Sequence, residues 1–208
     1  MMENIKLQTL LSLDRLANLI RYNELIKELE GDVAEFGVFR GGSLELLAQL
    51  NPGKTVWGID SFEGLPAPTD KDNYHKEGDF KEVEYENIKG YFGTMYRNVN
   101  LLKGFSPAIF LNIDPFKKFC FVHIDVDLYQ SVKDGLDYFY PRMVDGGVII
   151  LDDYGWESTE GAKKATDEFA AEINPNFFGE LFYYGNGETS FACRNQQPNS
   201  HKQFLIIK

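Results

Sequence analysis

Short apolar runs alternate with stretches of helical period from residue 33 to residue 173, and that order leaves few folds open. Runs at 33–38, 55–59, 99–102, 119–124 and 148–151 have the length of strands. The intervening stretches at 43–49, near 91–96, at 132–140 and at 162–173 repeat their apolar side chains at helical spacing. Strands alternating with helices form crossover units, which build a doubly wound, Rossmann-like parallel sheet with helices on both faces. The pattern then changes. Residues 180–184 and 189–194 are two extended, aromatic-containing runs joined by Gly185-Asn186-Gly187-Glu188, which reads as an antiparallel hairpin. The expected architecture is α/β, with a mostly parallel, seven-stranded sheet closed by that hairpin.

Ahead of the first strand, Leu7, Leu10, Leu13, Ala17 and Ile20 recur at helical spacing, with Leu16 and Leu19 widening the stripe. Residues 3–29 therefore read as amphipathic helices, an N-terminal cap for the sheet or for a partner subunit in a homodimer. With 208 residues and no linker in view, the chain is expected to be one domain. Residues 62–90 break the alternation: the segment is rich in Glu, Asp, Lys, Pro and Tyr, has no sustained period, and follows the second strand. Insertions of that length are usually functional, so a lid over the ligand edge is expected.

An excess of 32 acidic over 21 basic residues gives a formal charge of −11, which disfavours nucleic acid and anionic membrane as partners. Cys120 and Cys193 stand far apart, without zinc or disulfide spacing, and no segment has the length and apolarity of a signal peptide or membrane span. A reduced, cytoplasmic protein is expected.

Two apolar runs end in paired acids. His123-Ile-Asp-Val-Asp-Leu-Tyr129 closes the first and Leu151-Asp-Asp-Tyr-Gly155 the second. Ligands of open α/β sheets bind at the carboxyl ends of strands, so Asp125, Asp127, Asp152 and Asp153 are expected to converge there and to hold a divalent cation. Asp127, two residues after Asp125, shares its face if the extended conformation continues. His123 can serve as base or as a supporting partner, although a strand histidine is more often a hydrogen-bonded core residue. Tyr129 and Tyr154 either line an acceptor pocket or pack. His75 in the insertion is expected to be solvated, and His201 sits in a polar tail without signal.

The first strand leads into Glu35-Phe-Gly-Val-Phe-Arg-Gly-Gly-Ser43, a turn in which Gly37 and Gly41 let the backbone approach a ligand. Phe39 stands where a dinucleotide fingerprint needs its middle glycine, which leaves little room for a pyrophosphate. Glu35 can instead attract the ammonium of an amino-acid-like cofactor such as S-adenosylmethionine, and Asp60, about 20 residues on, the hydroxyls of its ribose. Gly104 and Phe105 are placed to contact an adenine ring. Arg40 reads as exposed or ion-paired.

These blocks, in order from about residue 33 to 170, resemble the macrocin O-methyltransferase (TylF/MycF-type) family: E-F-G-V-F-R-G-G-S from Glu35, I-D-S-F-E-G from Ile59, H-I-D-V-D-L-Y-Q-S from His123, Y-P-R-M-V-D-G-G-V-I-I-L-D-D-Y from Tyr140 and K-K-A-T-D-E-F from Lys163. The resemblance implies a class I methyltransferase that uses S-adenosylmethionine and magnesium, or another hard divalent cation, to methylate a hydroxyl of a sugar, a sugar-containing natural product or a polysaccharide. It implies Asp125, Asp152 and Asp153 as metal ligands, Asp127 as general base with His123 as the alternative, and Ser61 and Asp125 as further cofactor contacts. Vicinal hydroxyls are the implied feature of the acceptor. A catechol-like diol as acceptor, and a non-catalytic nucleotide- or cofactor-binding module, are the competing readings.

Overall fold

The computed structural model describes residues 6–173, 177–183, 189–191 and 203–208. Five parallel strands, β1 (Asp32–Phe36), β2 (Val56–Asp60), β3 (Val99–Lys103), β4 (Phe119–Ile124) and β5 (Met143–Leu151), lie in the order β3-β2-β1-β4-β5. Beyond β5 the sheet turns antiparallel through β8 (Gln203–Ile207), β6 (Phe177–Tyr183) and β7 (Thr189–Phe191). The expected hairpin strands are present as β6 and β7; Tyr184, the connection at residues 185–188 and residues 192–194 lie outside the described residues, as does His201. The described sheet has eight strands, not seven. Phe204-Leu-Ile-Ile207, a short apolar run at the end of the polar tail, inserts between β5 and β6.

Side chains alternate across the sheet with the period of two that extended backbone imposes. Ala34, Phe36, Val122, Ile124, Ile149 and Leu151 pack on one face with α4 (Tyr129–Phe139) and α5 (Glu160–Glu172). Val33, Phe121, Val148 and Ile150 pack on the other with α1 (Leu13–Asn23), α2 (Gly42–Leu50) and α3 (Tyr85–Met95). This parity matters for the site, because residues following Ile124 and Leu151 return to the α1 face. No helix among the described residues is long and apolar enough to cross a membrane.

The N-terminal segment departs from expectation. Helix α1 begins only at Leu13, and residues 6–12 are not helical. Their backbone groups are engaged elsewhere: Lys6 and Leu7 N–H donate to one oxygen of Glu45 at 2.8 and 2.9 Å, and the Gln8 carbonyl accepts from Gly42 N–H at 3.1 Å. Leu7 and Leu11 still pack toward the core while Leu10 and Leu13 are exposed, so the leucine spacing does not report a helix here.

Residues 61–84 contain no helix or strand, and α3 starts at Tyr85, earlier than its periodicity suggested. The insertion is nonetheless fastened. Asp72 Oδ1 accepts from Tyr129 N–H at 2.8 Å, capping the N-terminus of α4 from outside the helix, and Asp72 Oδ2 accepts from Thr69 N–H at 2.8 Å. Gly161 makes room for this contact, since a β-carbon there would lie 2.0 Å from Asp72 Oδ1. Alanine normally stabilises a helix relative to glycine by about 1 kcal/mol. Gly161→Ala is expected to do the opposite, losing about 1 kcal/mol with the displaced cap and exposing residues 62–84 to proteolysis. Thermal unfolding and limited proteolysis check both signs.

Candidate active site

The ladder continues one residue past β4 and β5. Asp125 N–H donates to the Phe36 carbonyl at 2.8 Å and Asp152 N–H to the Ile124 carbonyl at 2.9 Å, which carries both carboxylates to adjacent strand tips on the α1 face. Asp125, Asp152 and Asp153 each offer an oxygen, and these oxygens lie within 4.8 Å of one another. Asp127 reaches the same place by another route than the one expected. The extended conformation stops, Asp127 takes φ of 59°, and its N–H donates to Asp153 Oδ2 at 2.7 Å. Aspartate is among the few residues that visit this left-handed region readily. Asp125, Asp127 and Asp153 line a cavity of about 280 Å³; Asp152 is fully buried at its back.

So many carboxylates in one partly buried place repel their own ionisation. Burial, followed by the Asp153 charge, pushes Asp125 up to about 7. The same two causes hold Asp127 well above the usual carboxylate range, and burial raises Asp153. A hard divalent cation is the species that lets such a set ionise together, and three oxygen donors at this spacing suit one. By donor chemistry the residues fit a magnesium-type ion.

Beneath the cluster lies a layer of buried polar groups. Glu35 and His123 are register partners on β1 and β4, and Glu35 Oε1 meets His123 Nδ1 at 2.9 Å. His123 Nε2 lies 3.6 Å from Asp152 Oδ1, the oxygen that also accepts from Gln203 Nε2, whose own Oε1 accepts from Asn18 at 2.9 Å. Glu35 is fully buried and does not border the cavity, so its expected contact with a cofactor ammonium is corrected: the alternation of β1 puts it on the α1 face, beneath α2 and beside its register neighbour His123. His123 is likewise enclosed and does not border the cavity as a base would, and its Nε2 makes no hydrogen bond.

Burial pushes Glu35 up to about 8, so the folded protein holds a proton there that the unfolded chain has lost above the ordinary carboxylate range. Stability from this group is therefore present at low pH and is lost as pH rises toward about 8. Glu35→Gln is expected to flatten the decline in melting temperature between about pH 5 and about pH 8. An unchanged slope would place the buried proton elsewhere.

The glycine turn adjoins the tip of β4 and forms part of the cavity wall. Gly37 has φ of 97° and borders the cavity; a β-carbon there would lie 1.7 Å from the Asp125 carbonyl oxygen. Asp60 fixes the turn, with Oδ2 accepting from Val38 and Phe39 N–H at 2.7 and 2.9 Å and Oδ1 from Phe62 N–H at 2.7 Å. Asp60, Ser61, Gly104 and Phe105 all border the cavity. Gly41 does not: it faces Leu7 and Phe92, and its φ of 86° serves the entry into α2. Arg40 donates to Gln8 Oε1 at 2.8 Å beside the cavity. Tyr129 and Tyr154 are packing residues, their hydroxyls donating to Glu168 at 2.6 Å and Asp167 at 2.8 Å.

With this geometry in view, the relatives are informative. The family model described as macrocin-O-methyltransferase (TylF) matches residues 7–176. The chain belongs to the macrocin-O-methyltransferase family. Demethyldecarbamoylnovobiocin O-methyltransferase of Streptomyces niveus is 30% identical over 187 residues, covering 80% of this chain and 69% of that protein. Mycinamicin III 3''-O-methyltransferase of Micromonospora griseorubida is 33% identical over 166 residues, covering 70% of this chain and 65% of that one. The solved structure of the O-methyltransferase NovP superposes with a TM-score of 0.72 at 25% identity, over 96% of this chain and 81% of that one.

In this member of the macrocin-O-methyltransferase family, several cavity residues escape sequence reasoning. His75 is not solvated: its side chain is 10% exposed, with Nε2 3.6 Å from Asp127 and Nδ1 3.5 Å from Asp79, and it borders the cavity. Gln8–Leu11, Arg15 and Trp156 form a further wall. The only signal for the first of these was the position of His75 inside a long insertion after a strand.

Proposed function

We propose that the chain transfers the methyl group of S-adenosylmethionine to a hydroxyl of a sugar-bearing acceptor, with Asp125, Asp152 and Asp153 holding a divalent cation such as magnesium. What supports this reading above all is the carboxylate trio at two neighbouring strand tips beside the glycine turn, with Asp125 and Asp153 bordering the cavity and Asp152 buried behind them. The O-methyltransferase names of the relatives, one of them naming a rhamnosyl-tetracenomycin, support the acceptor class. The bound cofactor supplies an electrophilic methyl on sulfur, and a divalent ion at the trio would orient and acidify a hydroxyl near neutral pH.

The chain's own residues do the rest. Asp127 lies beside the trio and takes the hydroxyl proton as the oxygen bonds to the methyl carbon and the carbon–sulfur bond breaks. Asp60 Oδ1 accepts from Phe62 N–H and retains one lone pair for a ribose hydroxyl, while its other oxygen holds the turn. Phe105 offers a ring, 41% exposed, to the adenine. Gly64, Leu65, Pro66, His75 and Phe80 make the insertion the lid of this cavity. A dinucleotide module is disfavoured because the Gln8 carbonyl occupies the Gly42 N–H at the start of α2, where a pyrophosphate would bind.

The test is methyl transfer by the purified chain to a panel of glycosides and catechols. Turnover on sugars with vicinal hydroxyls, lost in chelator and restored by magnesium, is the expected result. Undiminished turnover in chelator overturns the metal half, and methylation of catechols alone overturns the acceptor half.

A further inference from the structure

We propose that the guanidinium of Arg15 is the resident cation of the aspartate cluster and has to leave Asp152 for a divalent ion to be held there, so that ion loading is linked to the first turn of α1. This inference rests on the metal reading above and concerns a residue outside the carboxylate set.

The three carboxylates are not equivalent. Asp152 faces protein groups on both oxygens: Gln203 donates a hydrogen bond to Oδ1, whereas Oδ2 accepts no hydrogen bond and has the Arg15 guanidinium as its ion-pair partner through Nη1. Asp125 and Asp153 open on the cavity instead. The ion pair is enclosed, with Arg15 at 11% side-chain exposure and Asp152 at 0%. A guanidinium does not shed its proton in a protein, so it can vacate an oxygen only by moving. Two cations on one carboxylate repel, and burial weakens the screening that would let them coexist.

Arg15 is built to move. Its buried Nε has no hydrogen-bond partner. Its Cζ lies 5.0 Å from the centre of the Trp156 ring, an aromatic face on which the cation can settle once released from Asp152. Arg15 also belongs to the first turn of α1, and the non-helical Gln8–Leu11 just ahead of that helix wall the cavity. Where the guanidinium sits therefore bears on the shape offered to the acceptor.

The experiment is a calorimetric titration of the full chain with manganese in the presence of S-adenosylhomocysteine. Arg15→Gln is expected to bind manganese about tenfold tighter than the unaltered protein or better, whereas Arg15→Lys, which keeps the charge, stays within about threefold. In chelator, Arg15→Gln is expected to melt at a lower temperature and to recover on adding manganese. Equal or weaker binding by Arg15→Gln overturns the inference and leaves Arg15 a structural partner of Asp152, with the metal reading intact. Absence of binding by every variant overturns the metal reading itself, and this inference with it.

A second measurement does not depend on Arg15→Gln folding. The chain has two tryptophans, so Trp57→Phe leaves Trp156 as the sole indole reporter. Magnesium is expected to change Trp156 emission along the calorimetric binding curve. Binding without any change in emission overturns the inference.

Discussion

Alanine at Gly37 is expected to abolish methyl transfer and to destabilise the chain by about 4 kcal/mol or more, at the upper end of what single substitutions do. Two costs add. The φ of 97° is one that a residue with a β-carbon adopts at about 1–2 kcal/mol. The larger cost is contact: the new carbon would lie 1.7 Å from the Asp125 carbonyl oxygen and 2.6 Å from its carbonyl carbon, so the tip of β4 must move. Moving it breaks the bond from Asp125 N–H to the Phe36 carbonyl and takes a proposed ligand off its position. Gly41→Ala is the control. It is also strained, but its nearest neighbour is a flexible Leu7 side-chain carbon at 2.9 Å, away from the cavity. Melting temperature and turnover for the pair should separate, with Gly37→Ala worse in both; equal losses would mean that only φ matters.

Asp125→Asn should move activity and stability in opposite directions. Activity is expected to fall by about a thousandfold, since the amide neither carries the charge nor replaces the oxygen donor the proposed ion needs. Without metal, however, the substituted chain should be more stable above neutral pH. Asp125 is pushed up to about 7 by burial and by Asp153, so its ionisation in the folded state is unfavourable as pH rises through that value. Asparagine removes that charge, and a gain of about 1–2 kcal/mol, or roughly 2–8 °C in melting temperature for a chain of this size, is expected at about pH 8. Loss of both activity and stability would show that the carboxylate is needed for the fold rather than retained for function.

The parallel core was legible because each strand is an apolar run and each crossover helix has its own period. The paired aspartates were legible because they terminate those runs. Three features were not. Gln203–Ile207 forms β8 from a short apolar run in a polar tail, and its place beside β5 is set by partners on the other strand rather than by its own sequence. Residues 6–12 have leucines at helical spacing, yet their backbone is claimed by Glu45 and Gly42, contacts that periodicity cannot register. Glu35 reads in isolation as a cofactor contact, and His123 as a core residue or a base with no partner that the sequence identifies. Their role depends on register, which seats them opposite one another under the cavity floor. His75 shows the same limit in a loop, for its neighbour Asp127 is distant in sequence and reached only through the fold of the insertion.

The central claim is that one divalent ion sits among Asp125, Asp152 and Asp153. Anomalous diffraction from crystals grown with manganese and S-adenosylhomocysteine tests it most directly. One strong peak bounded by those three carboxylates, beside the cofactor sulfur, is the predicted result. A cofactor in the cavity with no peak there, or with manganese bound elsewhere, would contradict it.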